Sequence, residues 1–363
     1  MRRSKQSFFL SAEFFQSMWA KRWFRIVQYV IGLTLTACLL FLLWFLYTDF
    51  GTQFRYFLAD TLIVTQHRHW AVYLIGEQEL KNRVDEIWRM SDEFARIQET
   101  TNIDTDAKLD GPLVEIEKVS GTGFEGHILH VSDPKKVRIV VPGKVGIGEK
   151  VSDMVTRTGA VAGVNGGGFA DPQYRGNGFV PIGIVMAGGE LFFNGTGGDL
   201  PTHIVGIDKT GKMVAGKYRP SELLKMGVQE AVTFSPKFIV NGQGMIKSRA
   251  AGWGVAPRTC MAQKADGTIM FAVIDGRQTH SIGATLYDVQ EMFLERGAVI
   301  AANLDGGSST ILVHNNQILN SPAGEYGERH LSSAFLVFER PDEVKIKNIW
   351  EGLDHRSLDP GKW

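Results

Sequence analysis

The strongest pattern along the chain is a run without formal charges over residues 26–48. A helix rises about 1.5 Å per residue, so a run of this length spans the roughly 30 Å hydrocarbon core of a bilayer. A cleaved signal peptide is the main alternative, but its apolar part is usually only about 7–15 residues long and precedes a site of small residues. The sequence after Tyr47 contains no such site. The pattern therefore predicts a membrane-spanning signal anchor over residues 26–48.

The charges before this run predict its orientation. Six basic residues and a single acidic residue precede it, and the cytoplasmic flanks of membrane helices are enriched in Lys and Arg. We therefore expect residues 1–25 to be cytoplasmic. The rest of the chain is expected on the outer side of the cell membrane.

The stretch after the run contains a second helical pattern. Apolar residues recur at helical spacing over residues 80–97, with charged residues between them, which is typical of an amphipathic helix. We expect this helix to cover residues 77–98 and to act as a stalk, or as a brace on the domain that follows. Residues 49–110 are therefore interpreted as a helical stalk and linker.

From residue 111 onward, short β-branched runs alternate with glycine-rich turns, a pattern that predicts strands. The predicted strands are 137–141, 160–164, 183–186, 204–207, 238–240, 269–274, 311–313 and 335–338. Residues 221–226 and 286–296 show helical patterns instead. We therefore predict an α+β domain with a mixed sheet and flanking helices over residues 111–340. A tail, residues 341–363, is expected to lie over its surface.

Composition excludes several classes of protein. The chain has 39 basic and 39 acidic residues among 363, whereas a nucleic-acid-binding protein normally carries a basic excess. Its two cysteines, Cys38 and Cys260, are too few for a disulfide framework and lack zinc-ligand spacing. The zero net charge is an average, because the basic residues before the membrane run offset a mildly acidic remainder. The sequence therefore predicts no nucleic-acid partner.

Three segments combine glycines with polar side chains near the ends of predicted strands. The first covers residues 165–169, where Asn165 offers a donor and an acceptor and the glycines allow close approach of a ligand. The second contains Arg258, a permanently charged fork suited to phosphate or carboxylate, and Asp275, which ends an apolar run. A simple turn is the alternative interpretation of the first segment and of Asp275.

The third segment, residues 303–310, is the richest in polar groups. Asn303 and Asp305 are two residues apart on a predicted strand, so both side chains are expected on the same side. The following Gly-Gly-Ser-Ser run can present backbone N–H groups to an anion. The chain has no Walker lysine, dinucleotide fingerprint, G-x-S-x-G elbow or H-E-x-x-H motif. The serines are therefore interpreted as ligands of phosphate or sugar rather than as nucleophiles.

Five motifs occur in a defined order in this half of the chain, at residues 165–169, 256–259, 273–277, 283–286 and 303–310. Together they resemble the phosphodiester glycosidase family, over roughly residues 111–340. The resemblance implies a hydrolase that cleaves the glycosidic bond of a sugar-1-phosphate diester. Its implied substrate is a phosphate-containing glycan of the cell surface or an exopolysaccharide.

The resemblance also implies a set of site residues. Asp275 and Asp305 are the expected catalytic carboxylate pair, since an oxocarbenium-like transition state needs a carboxylate near the anomeric carbon. Arg258 is expected to stabilise the leaving phosphate. The expected substrate-binding residues are Asn165, Gly166, Asn303, Gly306, Gly307, Ser308, Ser309 and His280, the last also a candidate proton donor. Family members often carry an aromatic residue where this chain has Gly168, so a sugar-stacking contact there is not expected.

Three alternatives remain open at this point. Asp275 and Asp305 could bind a divalent cation; no other cofactor is predicted. The same pocket could serve a non-hydrolytic glycan-binding or assembly factor for exopolysaccharide, although paired carboxylates favour an enzyme. A general phosphodiesterase that cleaves the P–O bond would need a metal cluster, and histidine is scarce near the motifs.

Overall fold

The computed structural model describes residues 4–65, 67–107, 110–172, 176–251 and 253–358. The chain divides into two compact units, one ending at Leu58 and the other beginning at Ala59. The first unit contains helix α1 (Ser4–Tyr47) and most of helix α2 (Asp49–Ile63). Within α1, the stretch Arg22–Tyr47 is long and apolar enough to cross a membrane. The predicted apolar helix is thus confirmed, while its insertion and orientation remain predictions.

The second unit begins with a helical segment, residues 59–97, which we call the helical segment throughout. It contains the end of α2, a 3-10 turn at Arg68–Ala71, α3 (Val72–Ile75) and α4 (Glu77–Arg96). Helix α4 covers most of the stretch predicted as an amphipathic helix. Its buried residue Phe94 belongs to a core of the main domain. The helix is therefore present and packs on the domain, and a role as a stalk remains a prediction.

The rest of the second unit consists mainly of β-strands. These are β1 (Val114–Gly121), β2 (Phe124–Val131), β3 (Val137–Val140), β4 (Ala162–Asn165), β5 (Ile184–Ala187), β6 (Glu190–Asn194), β7 (Thr202–Asp208), β8 (Met213–Tyr218), β9 (Val228–Thr233), β10 (Lys237–Val240), β11 (Gln243–Gly244), β12 (Arg258–Lys264), β13 (Ile269–Ile274), β14 (Ala298–Asn303), β15 (Leu312–His314), β16 (Gln317–Ile318) and β17 (Ala334–Val337). The remaining α-helices among the described residues are α5 (Val151–Thr158), α6 (Pro220–Met226) and α7 (Leu286–Glu295).

In the described part of the chain these strands form three sheets. The largest has the order β1-β2-β13-β12-β14-β10-β11, and the two five-stranded sheets have the orders β16-β15-β4-β17-β3 and β6-β5-β9-β7-β8. The described strand pairs are antiparallel. The predicted α+β class with flanking helices is therefore confirmed. The expected single mixed sheet is not found, because the described strands divide among three sheets and pair with antiparallel neighbours.

Each run predicted as a strand overlaps one strand, and both predicted helices are present as α6 and α7. Strands β1, β2, β6, β8, β9, β11, β12 and β16 were not predicted. In β12, polar residues interrupt the apolar pattern. Two of these, Thr259 and Gln263, are fully buried. The amide of Gln263 accepts from Met213 N (2.7 Å) and donates to Gly211 O (2.8 Å), so its burial leaves no unpaired group.

The seven-stranded sheet is covered on both faces, which explains the continuous apolar sequence of β13. Its residues Phe271 and Val273 belong to a core shared with the two smaller sheets. Met270 and Ala272 belong to a second core, shared with α7 and with Phe94 of α4. The sheet is therefore a rigid platform for the loops at its edges.

The strand register places three of the motifs at the same end of the central strands β13, β12 and β14. Arg258, at the start of β12, pairs with Ile274 at the end of β13. Cys260 of the same strand pairs with Asn303 at the end of β14. Since β12 runs antiparallel to both neighbours, the loops after β13 and β14 emerge beside the beginning of β12.

The C-terminal tail is anchored in the core. Trp350 is fully buried, and its Nε1 donates to Phe179 O (3.1 Å). Its ring also makes an edge contact with Phe193, with centroids 5.4 Å apart. The tail therefore contributes an aromatic side chain to the domain; Trp363 lies outside the described residues.

Candidate active site

A cavity of about 590 Å³ lies in the second unit and contains most of the third motif. This volume is within the range of pockets that bind small molecules. Its polar lining residues are Thr65, Arg68, Ser91, Asp171, Thr202, His203, Thr233, Ser235, Arg258, Arg277, Asn303, Asp305, Ser308, Ser309 and Arg329, together with Gly168, Gly306 and Gly307. Its apolar lining residues are Ile63, Val64, Val84, Ile87, Trp88, Phe169, Ile182, Phe234, Trp253 and Ala256.

Asp305 is the carboxylate of the third motif that the structure places in this cavity. Its backbone N donates to Gly166 O (3.2 Å), and its Oδ1 accepts from Gly306 N (3.0 Å). Burial raises the pKa of Asp305 to about 6, although the Ser309 hydrogen bond and the Arg329 charge oppose the rise. A carboxyl group with this pKa exchanges protons readily near neutral pH.

The second carboxylate of the cavity is Asp171, which the sequence did not single out. Its Oδ2 accepts from Arg329 Nη2 (2.7 Å), and its Oδ1 accepts from Gly176 N (2.8 Å). Its negative charge contributes to the raised pKa of Asp305. The only sequence signal for Asp171 is its position two residues after Phe169 of the first motif.

Asp275 lies outside the lining of this cavity. Its Oδ1 accepts from Ser321 N (2.8 Å) and Asn320 Nδ2 (3.2 Å), and its Oδ2 lies 3.1 Å from His280 Nε2. The loop around Ser321 is therefore joined to the end of β13. Neither Asp275 nor His280 lines the cavity with Asp305, so the structure does not bring the expected carboxylate pair together there.

Arg258 is the first residue of β12 and lines the cavity, but its guanidinium donates hydrogen bonds to backbone carbonyls. Nη2 donates to Gly254 O (2.7 Å) and to Trp253 O, and Nε donates to Ala284 O (3.2 Å). Burial lowers the pKa of Arg258 to about 10, so the group stays charged at neutral pH. Arg258 therefore fixes the loops beside the cavity and adds a buried positive charge.

Two further arginines place their charges in the cavity. Arg329 donates from Nη1 to Ser308 Oγ (3.2 Å), and its guanidinium lies 4.8 Å from the centre of the Phe169 ring. Arg277 packs against Gly307, where a Cβ would lie 3.4 Å from its Nη2. Burial lowers the pKa of Arg277, and among the described residues no acidic side chain forms an ion pair with it.

The lining of the cavity is positively charged overall. Its formally charged side chains in the described ranges are four arginines, one of them Arg68 of the helical segment, and two aspartates. Arginine suits phosphate because its planar fork makes paired hydrogen bonds to anionic oxygens. The arrangement therefore favours an anion, although the chain as a whole has no net charge.

Asn165 and Gly166 support the Asp305 loop from behind. Asn165 is fully buried; its Nδ2 donates to Asp305 O (2.5 Å), and its Oδ1 accepts from Thr259 Oγ1 (2.7 Å) and Ile311 N (3.1 Å). Gly166 N donates to Ser333 O, and a Cβ at Gly166 would lie 2.6 Å from Ser333 Oγ. Neither residue lines the cavity, so both position its loop.

Asn303 lines the cavity as the last residue of β14. Its Nδ2 donates to Ser235 O (3.2 Å), and its Oδ1 accepts from Cys260 Sγ (3.4 Å). The prediction that Asn303 and Asp305 share one strand is wrong, because β14 ends at Asn303 and Asp305 belongs to the following loop. Both side chains nevertheless reach the cavity.

The residues Gly306, Gly307, Ser308 and Ser309 all line the cavity, in a tight turn. Several of their amides have intramolecular partners: Gly306 N donates to Asp305 Oδ1, Gly307 N to Pro257 O (2.9 Å) and Ser309 N to Gly306 O (3.2 Å). The turn thus differs from an open row of N–H groups. The arginines beside the turn, rather than its amides, are therefore the groups that could contact an anion.

The residues do not favour a metal ion in the cavity. Within the described ranges, no group of three or more His, Cys, Asp or Glu side chains is arranged to hold one. The cation alternative combined Asp275 with Asp305, which do not line one cavity. Asp171 already pairs with Arg329.

Comparison with known proteins agrees with the motifs. Residues 158–338 match the family model of phosphodiester glycosidase. A relative from Mus musculus, N-acetylglucosamine-1-phosphodiester alpha-N-acetylglucosaminidase, is 25% identical over 230 residues, which cover 57% of this chain and 43% of that protein. A prophage-derived uncharacterized protein of Bacillus subtilis, YomE, is 30% identical over 102 residues, or 28% of this chain and 16% of that protein. The chain thus spans less than half the length of both curated relatives.

The fold agrees with the same family. The catalytic domain of zebrafish N-acetylglucosamine-1-phosphodiester alpha-N-acetylglucosaminidase, a structure described as auto-inhibited by its pro-peptide, superposes with a TM-score of 0.55 at 21% identity. The match covers 67% of this chain and 88% of that domain. Since the five motifs lie within the residues that match the family model, residues 158–338 of this chain belong to the phosphodiester glycosidase family.

Proposed function

We propose that this protein hydrolyses the glycosidic C–O bond of a sugar-1-phosphate diester. The observation that carries the proposal is one cavity in which Asp305, with a pKa raised to about 6, lies among four arginines. The carboxyl group of Asp305 suits chemistry at an anomeric carbon, and the arginines suit a phosphate. The name of the mouse relative describes the same class of substrate.

In this mechanism the phosphate group of the substrate lies against Arg277 and Arg329. Water adds to the anomeric carbon, the bond from that carbon to the ester oxygen breaks, and its electron pair stays on the phosphate. One hydrogen of the water remains on the sugar hydroxyl, and the other leaves as a proton. The arginines stabilise the charge that develops on the leaving phosphomonoester.

Asp305 acts in its ionised form at the anomeric carbon. A phosphomonoester is a good leaving group and needs little protonation, so a general acid contributes less here than in the cleavage of an ordinary glycoside. The ionised carboxylate instead stabilises the oxocarbenium-like transition state. It then either accepts the proton of the attacking water or, as a nucleophile, bonds to the anomeric carbon until water hydrolyses that bond. Asp171 holds Arg329 in place through their ion pair (2.7 Å).

An isotope experiment tests the bond that is cleaved. The full-length protein is incubated in ¹⁸O-water with the methyl phosphodiester of α-N-acetylglucosamine, and both products are analysed by mass spectrometry. We expect no label in the released methyl phosphate, which is the diagnostic product because the anomeric oxygen of a free sugar exchanges with water. Label in the phosphate would show P–O cleavage and sink the proposal, and binding without any turnover would favour the non-hydrolytic glycan-binding factor.

We further propose that the domain acts outside the cell membrane on a phosphate-containing glycan or exopolysaccharide. The apolar helix Arg22–Tyr47 and the basic residues before it support this placement. Ser4→Cys and Tyr326→Cys variants test it, because Tyr326 is 91% exposed. A membrane-impermeant maleimide should label intact cells only at position 326, and labelling only at position 4 would reverse the orientation.

A further inference from the structure

One wall of the cavity comes from the helical segment, which lies outside the part of the chain matched by the family model. Its apolar side chains in the wall are Ile63, Val64, Val84, Ile87 and Trp88. We call this group the apolar wall. It faces the same cavity as Asp305 and the arginines, so one pocket combines a charged part with an aliphatic and aromatic part.

Ion pairs stabilise the helical segment internally and fix it to the rest of the domain. Within it, Arg83 forms a two-point ion pair with Asp60, with Nε to Oδ1 at 2.6 Å. At the other end of α4, Asp92 accepts from Lys217 Nζ (2.9 Å) and lies 2.8 Å from His203 Nε2. These contacts hold the apolar wall in place, and the cavity beside it stays open, at about 590 Å³.

The chemistry of the wall selects the part of the substrate that it can contact. A sugar carries hydroxyl groups around its rim, and burying a hydroxyl without a hydrogen-bond partner is unfavourable. The aliphatic side chains of the wall offer no such partners; the hydrogen-bonding groups that the helical segment adds to the lining are those of Thr65, Arg68, Ser91 and the indole N–H of Trp88. A hydrocarbon chain has the opposite balance, because each buried methylene contributes about 0.8 kcal/mol.

We propose that the apolar wall binds an apolar group esterified to the substrate phosphate, namely an alkyl or prenyl chain. The inference rests on the proposed function, in which the sugar and the phosphate occupy the charged part of the cavity. The substrate class is then a sugar linked through a phosphodiester to a lipid-like alcohol. A chain that also carries an apolar helix long enough to cross a membrane is suited to such substrates.

A chain-length series tests the inference with the full-length protein. The probes are the methyl, butyl and octyl phosphodiesters of α-N-acetylglucosamine, used below the concentration at which they form micelles. We expect kcat/KM to rise at least about tenfold from methyl to octyl, mostly through KM. Complete burial of one methylene corresponds to about fourfold, so even partial burial of the chain reaches this value.

Trp88 offers the cleanest variant, because it is 54% exposed and its replacement threatens the fold less than that of the buried Ile63. Trp88→Ala should flatten the chain-length series, whereas Trp88→Phe should preserve most of it. Trp70→Ala is the matched control. Trp70 belongs to the same helical segment and is 50% exposed, but it does not line the cavity; its replacement should leave the series unchanged.

The outcomes separate this inference from the proposed function. Hydrolysis of all three esters with equal kcat/KM would overturn the apolar-wall proposal and leave the glycosidase standing. A higher rate in Trp88→Ala on every ester would also overturn it, since the wall would then obstruct the site. If no ester is hydrolysed, calorimetric binding of the same series decides: tighter binding of the octyl than of the methyl ester supports the wall, and equal binding contradicts it.

Discussion

Asp275 and Asp305 occupy similar local sequences but different surroundings. Each follows the end of an apolar strand and precedes a glycine. Asp275 is surrounded by donors from a neighbouring loop and lies outside the cavity. Asp305 lines the cavity, and burial raises its pKa to about 6. The comparison shows that the surroundings, rather than the local sequence, set the pKa and the hydrogen-bond partners of each carboxylate.

The largest effect is expected from Asp305→Asn. This change removes the ionisable carboxyl group but keeps its size, so kcat should fall by about 10³-fold, within the range attributed to acid–base groups. Hydrolysis of the methyl phosphodiester checks this, with thermal unfolding as a control for folding. Unchanged kcat would show that the carboxylate of Asp305 is not the reacting group.

Arg329→Gln tests the charges around Asp305. The change removes the ion pair with Asp171 and a charge beside the phosphate position, so kcat/KM should fall about 10²-fold, as for loss of an oxyanion contact. Because the Arg329 charge lowers the pKa of Asp305, its loss should also move the acidic limb of the pH–rate profile above 6. Arg340→Gln, which changes an exposed pair with Glu343, is the control. An acidic limb at the same pH as in the wild type would contradict the proposal that this limb reports the ionisation of Asp305.

The pH dependence of activity and of stability should both report the ionisation of Asp305. If ionised Asp305 is required, kcat/KM, which reports ionisation in the free enzyme, should fall about tenfold per pH unit below a midpoint near 6. Stability follows the opposite sign, because the raised pKa means that folded Asp305 binds its proton more tightly than the unfolded chain. Its stabilising contribution is complete below about pH 4 and is lost as the pH rises through 6. Unfolding in denaturant across this range, in the wild type and in Asp305→Asn, measures the difference.

Asp275→Asn should affect stability more than chemistry. One oxygen of Asp275 accepts two hydrogen bonds and the other lies beside His280, so an amide in its place removes the negative charge that strengthens these hydrogen bonds. We expect a loss of about 1–3 kcal/mol in the free energy of unfolding, with kcat reduced less than tenfold. A loss of kcat equal to that of Asp305→Asn would restore the original pair of catalytic aspartates.

The smallest effect is expected from His280→Gln. The His280 side chain is 37% exposed, does not line the cavity and has Asp275 as its partner. Glutamine can still donate to that carboxylate, so kcat and the unfolding midpoint should both change little. A change of kcat above about tenfold would indicate that His280 transfers a proton.

The fold was predictable wherever the pattern was local. The apolar helix and the strands with continuous β-branched runs were found from spacing alone. Strand β12 was missed because Thr259 and Gln263 interrupt its apolar pattern, and their partners lie far away in the sequence. Hydrogen bonds between distant residues cannot be read from local periodicity.

The motifs of the candidate site could be predicted from the sequence, but which of their residues lie together could not. Ser308, Asn303, Arg258 and Asp305 do line one cavity, whereas Asn165 supports it from behind. Asp171 and Arg329 were missed because neither stands in a distinctive local pattern. Their ion pair joins two loops that are distant in the sequence.

The sequence by itself therefore determined the apolar helix, the α+β class and the family, since each depends on residue types at fixed spacing. Only the tertiary structure decided which aspartate shares a cavity with the arginines and which side chains form the apolar wall. The physical reason is that strand register and loop packing fix the distances between distant residues. Burial and hydrogen-bond partners, which set the chemistry of each carboxylate, depend on those distances.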